Sequence, residues 1–216
     1  MPEVSIAKYQ SAQDRIVDAA LKDLERLYKA LDLSDGVAAR EALSKIITDL
    51  VQVYGSASAS EAVSLFMLLR AEAGIASAFA PRLATAATPE AIDGSVRWAV
   101  ATLFGDAYNE AVTLSKLKDV TTRHLLQQGR DSIALNVASP QSGSGAFARI
   151  LGPGENCKFC LMLSSRGYAY RSAESAKAGW HDGCRCSAVP GFKGVEVAGY
   201  DPDALLEEYK KLSEQE

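Results

Sequence analysis

The stretch CKFC at residues 157–160 and the stretch HDGCRC at residues 181–186 hold all four cysteines of this 216-residue chain and one of its two histidines. Two thiols separated by two residues form a knuckle whose sulfur atoms can bind one metal ion, and the second stretch repeats that spacing with a histidine first. Together they offer four soft ligands, which suits tetrahedral zinc. The sequence therefore predicts a structural zinc site with the ligands Cys157, Cys160, His181 and Cys184, and with Cys186 as an alternative ligand.

Three other interpretations of these side chains stay open. The cysteines can be reduced core residues with His181 hydrogen-bonded beside them. Outside the reducing cell they can form disulfides, most simply Cys157 or Cys160 with Cys184 or Cys186. Cys160 can also be a catalytic nucleophile with His181 as its base. Catalysis has the least support, because no motif places an orienting acid apart from the residue after the histidine.

The residues around the cluster predict a small Cys/His-rich α+β lobe at 147–198. The expected elements are a strand at Phe147–Leu151, a turn at Gly152–Gly154, a helix at Cys160–Ser165, and strands at Tyr168–Tyr170 and Cys186–Val189. A segment of about fifty residues is too small to fold by burial of apolar side chains alone, and needs a cross-link, or staple, such as a bound metal or disulfides. The Cys/His cluster is the expected staple, which favours a structural role over catalysis.

The chain before the lobe, residues 1–138, is predicted to be a helical domain. Apolar residues recur at helical spacing and alanine is abundant. The first expected helix covers Ile16–Leu31, and the second runs from the Ser34-Asp35 cap to Gly55. A third begins at a Ser58–Glu61 capping box and continues past Leu69, and a fourth begins at Thr88-Pro89-Glu90. The last covers Asp106–Val137, with a break near Lys118 or Gly129. The predicted class is therefore mainly α, with an N-terminal helical bundle or elongated helices and a Cys/His-stapled α+β C-terminal lobe.

Two further segments flank the lobe. Small, polar and glycine-rich residues at 139–146 predict a linker, and Asp201-Pro202 begins an amphipathic helix within 199–216. Residues 147–197 carry seven basic and four acidic side chains, a net charge of +3, whereas the tail from Asp201 carries six acidic and two basic ones, a net charge of −4. We interpret both as solvated faces of unequal sign.

Composition narrows the class of protein. A hydrophobic fraction of 48% is enough for a core, and a net charge of −4 argues against a dedicated nucleic-acid binder. No apolar run is long enough to span a bilayer, and no secretory signal precedes the first helix. We therefore expect no membrane partner, and synthesis in a cytoplasm where thiols stay reduced.

The order of residues in the lobe resembles a known family. The order is Cys157 and Cys160, the Ser165-Arg166-Gly167 turn, Tyr170, then His181-Asp182-Gly183-Cys184-Arg185-Cys186 and Val189-Pro190. It resembles the C-terminal motif of the minor capsid, or head morphogenesis, proteins of tailed bacteriophages, the phage Mu F-like group and its actinobacteriophage type in particular. The resemblance implies a virion structural protein, a minor head protein at or near the portal that acts in head assembly and DNA packaging or exit.

The same resemblance implies a location and partners. It implies a protein made in the host cytoplasm and placed in the capsid interior or at the portal vertex, in several copies within a symmetric assembly. The implied partners are the portal protein and/or the major capsid protein. No enzymatic activity is expected.

Two alternative functions follow from the residues. One is a zinc-knuckle DNA-binding packaging accessory, in which the basic lobe at 147–197 contacts DNA weakly and Tyr168, Tyr170 and Trp180 stack on bases. The other is a cysteine hydrolase, or an ejection-associated enzyme that acts on peptidoglycan, which would lose turnover on Cys160→Ala.

Several other polar and aromatic residues have simpler expected roles. Asp14, Asp18 and Asp23 are expected on a solvated helix face, and His124 at the surface or at a helix cap. Trp98 is expected in the core or at a helix interface.

Overall fold

The structure, a computed structural model, describes residues 3–104, 108–153, 156–172, 174–175 and 180–214, and in these residues the fold is mainly helical. The helices are α1 (Ala7–Lys29), α2 (Gly36–Glu72), α3 (Pro89–Ala99) with a 3-10 turn after it (Val100–Leu103), α4 (Glu110–Val137), α5 (Lys158–Ser164) and α6 (Pro202–Ser213). The strands are β1 (Glu3–Val4), β2 (Ala146–Ile150), β3 (Ser187–Gly191) and β4 (Glu196–Val197). The predicted fold class is confirmed. None of the described helices is both long and apolar enough to cross a membrane.

Helices α2 and α4 form the centre of the bundle, and α1 and α3 pack against both of them. With 37 residues, α2 is about 55 Å long at the usual rise of an α-helix. The bundle is therefore built around one elongated helix pair.

The predicted helix starts are confirmed where a capping side chain is present. Asp35 accepts hydrogen bonds from two backbone amides in the first turn of α2, and Asp201 does the same for α6. Thr88 accepts one in the first turn of α3, which has proline at its first position. These bonds satisfy amides that a helix leaves without an internal partner.

The predicted interruptions at Gly55, Lys118 and Gly129 are wrong, because α2 and α4 are both continuous. A Cβ atom at Gly129 would lie 2.6 Å from the Ser58 Oγ and 3.0 Å from the Ser58 carbonyl oxygen. One at Gly55 would lie 2.5 Å from the Gln128 side-chain oxygen. The two glycines thus allow a close approach of α2 and α4 instead of ending helices.

The predicted helix start at Ser58 is wrong for a related reason. Ser58 is buried in the middle of α2, where its hydroxyl donates to the Gln13 side-chain oxygen at 2.7 Å. The Gln13 amide donates in turn to the Ser58 carbonyl oxygen at 3.0 Å. This reciprocal pair joins α1 to α2 at the level where α2 meets Gly129 of α4.

The lobe contains two short sheets. Strands β2 and β3 pair antiparallel, with Ala146 opposite Gly191, and β1 from the start of the chain pairs parallel with β4. The predicted strands at the start of the lobe and at Cys186–Val189 match β2 and β3 within two residues at each end. The predicted strand Tyr168–Tyr170 is wrong, since Tyr170 forms a single bridge with Phe147. Gly154 of the predicted turn lies outside the described residues.

One apolar cluster extends through the bundle and the lobe. It includes Phe66 of α2, Ile133 of α4, Phe147 of β2 and Val189 of β3, together with buried sulfur atoms of the Cys/His stretches. In the predicted linker, Ser142 is fully buried and its carbonyl oxygen accepts from the Arg70 guanidinium at 3.1 Å. The division of the chain into domains at 139–146 stays a prediction.

Gly129→Ala is expected to lower the free energy of unfolding by about 1–3 kcal/mol. Overpacking against the Ser58 backbone should outweigh a gain in helix propensity of about 1 kcal/mol. Gly94→Ala in α3 is the matched control, because nothing lies within 4 Å of a Cβ built there. It should raise the same free energy by about 0.5–1 kcal/mol. Urea unfolding measures both, and a Gly129→Ala protein as stable as wild type would contradict this account.

Candidate metal centre

The first cysteine pair is positioned by the start of α5. Cys157 is the N-cap residue of this helix, and its sulfur accepts a hydrogen bond from the Cys160 backbone amide at 3.3 Å. Cys160 lies in the first turn and is buried, whereas Cys157 is exposed. The predicted knuckle is therefore present, with an amide directed at its first sulfur.

His181 is placed between the sulfur atoms of this pair. Its Nε2 lies 3.1 Å from the Cys157 Sγ and 3.2 Å from the Cys160 Sγ. Its Nδ1 lies 2.9 Å from the Asp182 carbonyl oxygen, which can only accept a hydrogen bond. Nδ1 therefore carries a proton, and Nε2 is directed at the sulfurs. This orientation is typical of histidines that bind metals.

The second cysteine pair, Cys184 and Cys186, lies beside Cys160 of the first pair. The Cys184 Sγ lies 3.7 Å from the Cys160 Sγ, close to the separation of about 3.8 Å between two sulfurs on one tetrahedral zinc ion. Cys160, Cys184 and Cys186 form one group whose ligand atoms all lie within 4.8 Å of one another, and Cys157, Cys160 and His181 form another. The structure thus places the five predicted ligands in two overlapping groups of three that share Cys160, and the ligand atoms of each group are close enough to bind a metal ion.

Cys186 differs from the other cysteines in its polar partner. It is buried, and its Sγ lies 3.8 Å from the Asn156 side-chain oxygen, so it is placed as a thiol donor. All four cysteines are unpaired, and no disulfide joins them. The choice of ligands among the five side chains stays a prediction.

The charges of the cluster are coupled. The pKa of Cys184 is lowered by hydrogen bonds from Cys160 and Cys186 and by the nearby charge of Arg130. The pKa of Cys160 is raised, chiefly because its hydrogen bonds to the same neighbours retain its proton. The Cys184 thiol therefore loses its proton more readily than the Cys160 thiol. A divalent cation among them would favour deprotonation of both.

Hydrogen bonds shift the pKa values of Cys157 and His181 in opposite directions. Burial acts to raise the pKa of Cys157, but hydrogen bonds from the Cys160 amide and from His181 outweigh it, so this pKa is lowered. Burial acts to lower the pKa of His181, but its bonds to the Asp182 carbonyl and to Cys157 outweigh it, so this pKa is raised. The pair therefore favours a thiolate, the form of cysteine that binds metals.

Charged residues hold the HDGCRC stretch against two helices of the bundle. The Arg185 guanidinium pairs with Asp14 at 3.1 Å and Asp18 at 3.3 Å, both on α1. Arg123 of α4 pairs with Asp182 at 2.5 Å. Asp18 is exposed, as expected on a solvated face, whereas Asp14 is half-buried, and both pair with the arginine of the HDGCRC stretch.

Two buried arginines beside the cluster were missed from the sequence. Arg130 of α4 donates to the Cys184 carbonyl oxygen at 2.6 Å and to the Cys186 carbonyl oxygen at 3.0 Å. Arg149 was assigned to a solvated basic face but is fully buried in β2. The guanidinium carbons of both lie over the ring of Trp180, at 4.0 and 3.7 Å from its centroid.

A signal for Arg130 did exist in the sequence. Leu126, Arg130, Ile133 and Val137 follow one another at helical spacing, and all four are buried. Periodicity therefore placed Arg130 on the inner face of α4. Charge alone suggested the outer face.

A family model described as VG15 protein matches residues 1–212 of the chain. The chain belongs to the VG15 family. The match covers the bundle and the Cys/His centre alike, and the family indicates a phage-derived protein. No curated protein and no solved structure matches the chain.

In this VG15 family member the second histidine, His124, is buried in α4, so the expectation of a surface histidine is wrong. Its Nε2 lies 3.0 Å from the Ser95 Oγ of α3. Burial and the neighbouring charge of Arg123 lower its pKa to about 4. Trp98, also expected inside, is 54% exposed.

His124 is expected to make stability fall as the pH drops from 6.5 towards 4. In this range the unfolded state takes up a proton that the folded state excludes, which costs about 3 kcal/mol by pH 4. The stability that depends on the neutral imidazole is complete above pH 6.5. Urea unfolding of wild type and of His124→Gln at pH 7 and pH 4.5 isolates this effect, since acid protonation of thiolates and carboxylates acts on both proteins. An identical loss in both proteins would contradict the assignment.

Proposed function

We propose that this VG15 family member is a structural protein of the phage virion, a minor head protein at or near the portal that acts in head assembly and DNA packaging or exit. In this proposal the Cys/His centre holds one structural zinc ion. One observation carries the structural role: the sulfurs of Cys160, Cys184 and Cys186 belong to the same buried cluster as the apolar residues of α2 and α4.

The chemistry of the donors supports zinc. Thiolate sulfur and imidazole nitrogen are its usual ligands in closed structural sites, and the tetrahedral sulfur spacing is already present between Cys160 and Cys184. The proposed ligands are Cys157, Cys160, His181 and Cys184. Cys186 stays the alternative, because its sulfur already has a polar partner in Asn156.

The burial of the sulfur atoms supports a role without catalysis. Cys160 is 2% exposed, which leaves little access for a substrate. The Nδ1 of His181 is held by a backbone carbonyl and not by a carboxylate. Both features suit a ligand that is fixed in place better than a nucleophile and its base.

The aromatic residues of the lobe favour protein partners over DNA. Of the three aromatic residues considered for stacking on bases, Tyr170 and Trp180 are buried and Tyr168 is 38% exposed. Arg149 is buried as well. On the bundle, Trp98 and Tyr108 are about half exposed, and large aromatic side chains are enriched in protein interfaces. These features support the portal and/or major capsid protein as partners, in several copies.

Replacing one proposed ligand should distinguish a metal centre from cysteines that are only packed in the core. Cys160→Ala is expected to abolish zinc binding and to lower the free energy of unfolding by about 4 kcal/mol, the scale of losing a structural metal. Hydrogen exchange should increase in β2, β3 and α5. Cys186→Ala is the matched control, a buried cysteine of the same cluster that should keep the metal. Equal metal content and exchange in wild type and Cys160→Ala would refute the zinc centre. Loss of metal from Cys186→Ala would refute the proposed ligand set.

The location is tested with phage particles. Virions and procapsids purified by density gradient should contain this chain in a fixed ratio to the portal protein, measured by quantitative mass spectrometry. The chain expressed alone and mixed with finished particles controls for adsorption and should stay at the top of the gradient. If the chain is absent from both kinds of particle, the proposal of a virion protein fails.

A further inference from the structure

Arg130 is a buried cation without a carboxylate partner among the described residues. It is 3% exposed and lies on the inner face of α4. Its hydrogen bonds go to the carbonyl oxygens of Cys184 and Cys186. Carbonyl oxygens satisfy the donors of a guanidinium but do not cancel its charge. A buried charge without a counter-charge costs several kcal/mol.

The nearest groups that can supply negative charge are the cysteines of the centre. The Arg130 guanidinium donates to the backbone carbonyl oxygens of two of these cysteines, at 2.6 Å for Cys184 and 3.0 Å for Cys186. A second buried guanidinium, that of Arg149, lies over the same Trp180 ring. Two buried guanidiniums therefore lie over the Trp180 ring, next to His181, and their positive charge favours negative charge on the centre.

The charge of a loaded centre depends on how many thiolates bind. A divalent ion with two thiolates and two neutral ligands carries no net charge. With three thiolates and a neutral imidazole its net charge is −1, which Arg130 would balance. With four thiolates its net charge is −2.

We propose that Arg130 is the counter-cation of an anionic metal–thiolate centre, so that the site retains a divalent ion with at least three thiolates. This rests on the metal centre of the proposed function and adds the residue that selects its charge. Arg130 touches no metal. It is a positioning residue that acts through its charge and through the two carbonyl oxygens on either side of Arg185.

The test measures zinc affinity with a competing chelator in full-length wild type, Arg130→Gln, Arg130→Lys and Arg70→Gln. Gln keeps an N–H donor for the carbonyls without the charge, and Lys keeps the charge. Arg70 is the matched control, a buried arginine that donates to three carbonyl oxygens, of Ser142, Ile75 and Ser77, away from the sulfurs.

Arg130→Gln should bind zinc about 10- to 100-fold more weakly than wild type, the usual cost of losing a partner of the metal ligands. Arg130→Lys should recover most of that loss, and Arg70→Gln should bind like wild type. Unchanged affinity in Arg130→Gln would overturn the proposal. So would a Lys variant as weak as the Gln variant, because hydrogen-bond geometry and not charge would then be the cause. An equal loss in Arg70→Gln would mean general destabilisation and would overturn it as well.

A measurement on wild type keeps the proposal testable if the Arg130 variants do not fold. In the cobalt-loaded protein, the intensity of the sulfur-to-cobalt charge-transfer band increases with the number of bound thiolates. Three or four thiolates per cobalt support the proposal. Two thiolates overturn it and also overturn the proposed ligand set, although the protein would still bind a metal. Absence of metal binding in wild type would instead overturn the centre itself.

Discussion

Sulfur atoms that lie within 4 Å of one another inside a protein cannot all carry negative charge unless a cation lies among them. The Cys160 and Cys184 sulfurs are 3.7 Å apart in the core, and the His181 Nε2 is 3.2 Å from the first of them. Without a cation, coupling of their protons holds some as thiols. When a cation is bound, the same closely spaced sulfur atoms act as its ligands. The rest of the lobe depends on which of these two conditions holds, because its strands contain at most five residues.

The centre is also attached to the bundle. Arg185 reaches α1 through Asp14 and Asp18, Arg123 of α4 reaches Asp182, and Arg130 of α4 binds the carbonyls on either side of Arg185. The start of the chain adds a further tie through the pairing of β1 with β4. Metal in the centre would therefore fix the lobe on the bundle.

Local chemistry made much of this predictable from sequence. Capping residues predicted the starts of α2, α3 and α6. The spacing of cysteines and histidine in the sequence predicted the five side chains that lie in the centre. The errors concern contacts between distant segments. Gly55 and Gly129 resemble helix stops until α2 and α4 are seen to approach one another there, and Ser58 resembles a cap until Gln13 is seen beside it. Arg130 was missed because its charge was given more weight than its helical spacing with buried residues. Arg149 was missed because no local pattern reveals that β2 is buried on both faces.

X-ray absorption at the metal edge of the purified wild-type protein tests the central claim most directly, since it reports the element, the kind of ligand and the distances together. The account predicts one zinc ion per chain, with three sulfur ligands at about 2.3 Å and one nitrogen at about 2.0–2.1 Å. Protein purified without chelator under reducing conditions that contains no metal, or a metal bound mainly by oxygen, would contradict it.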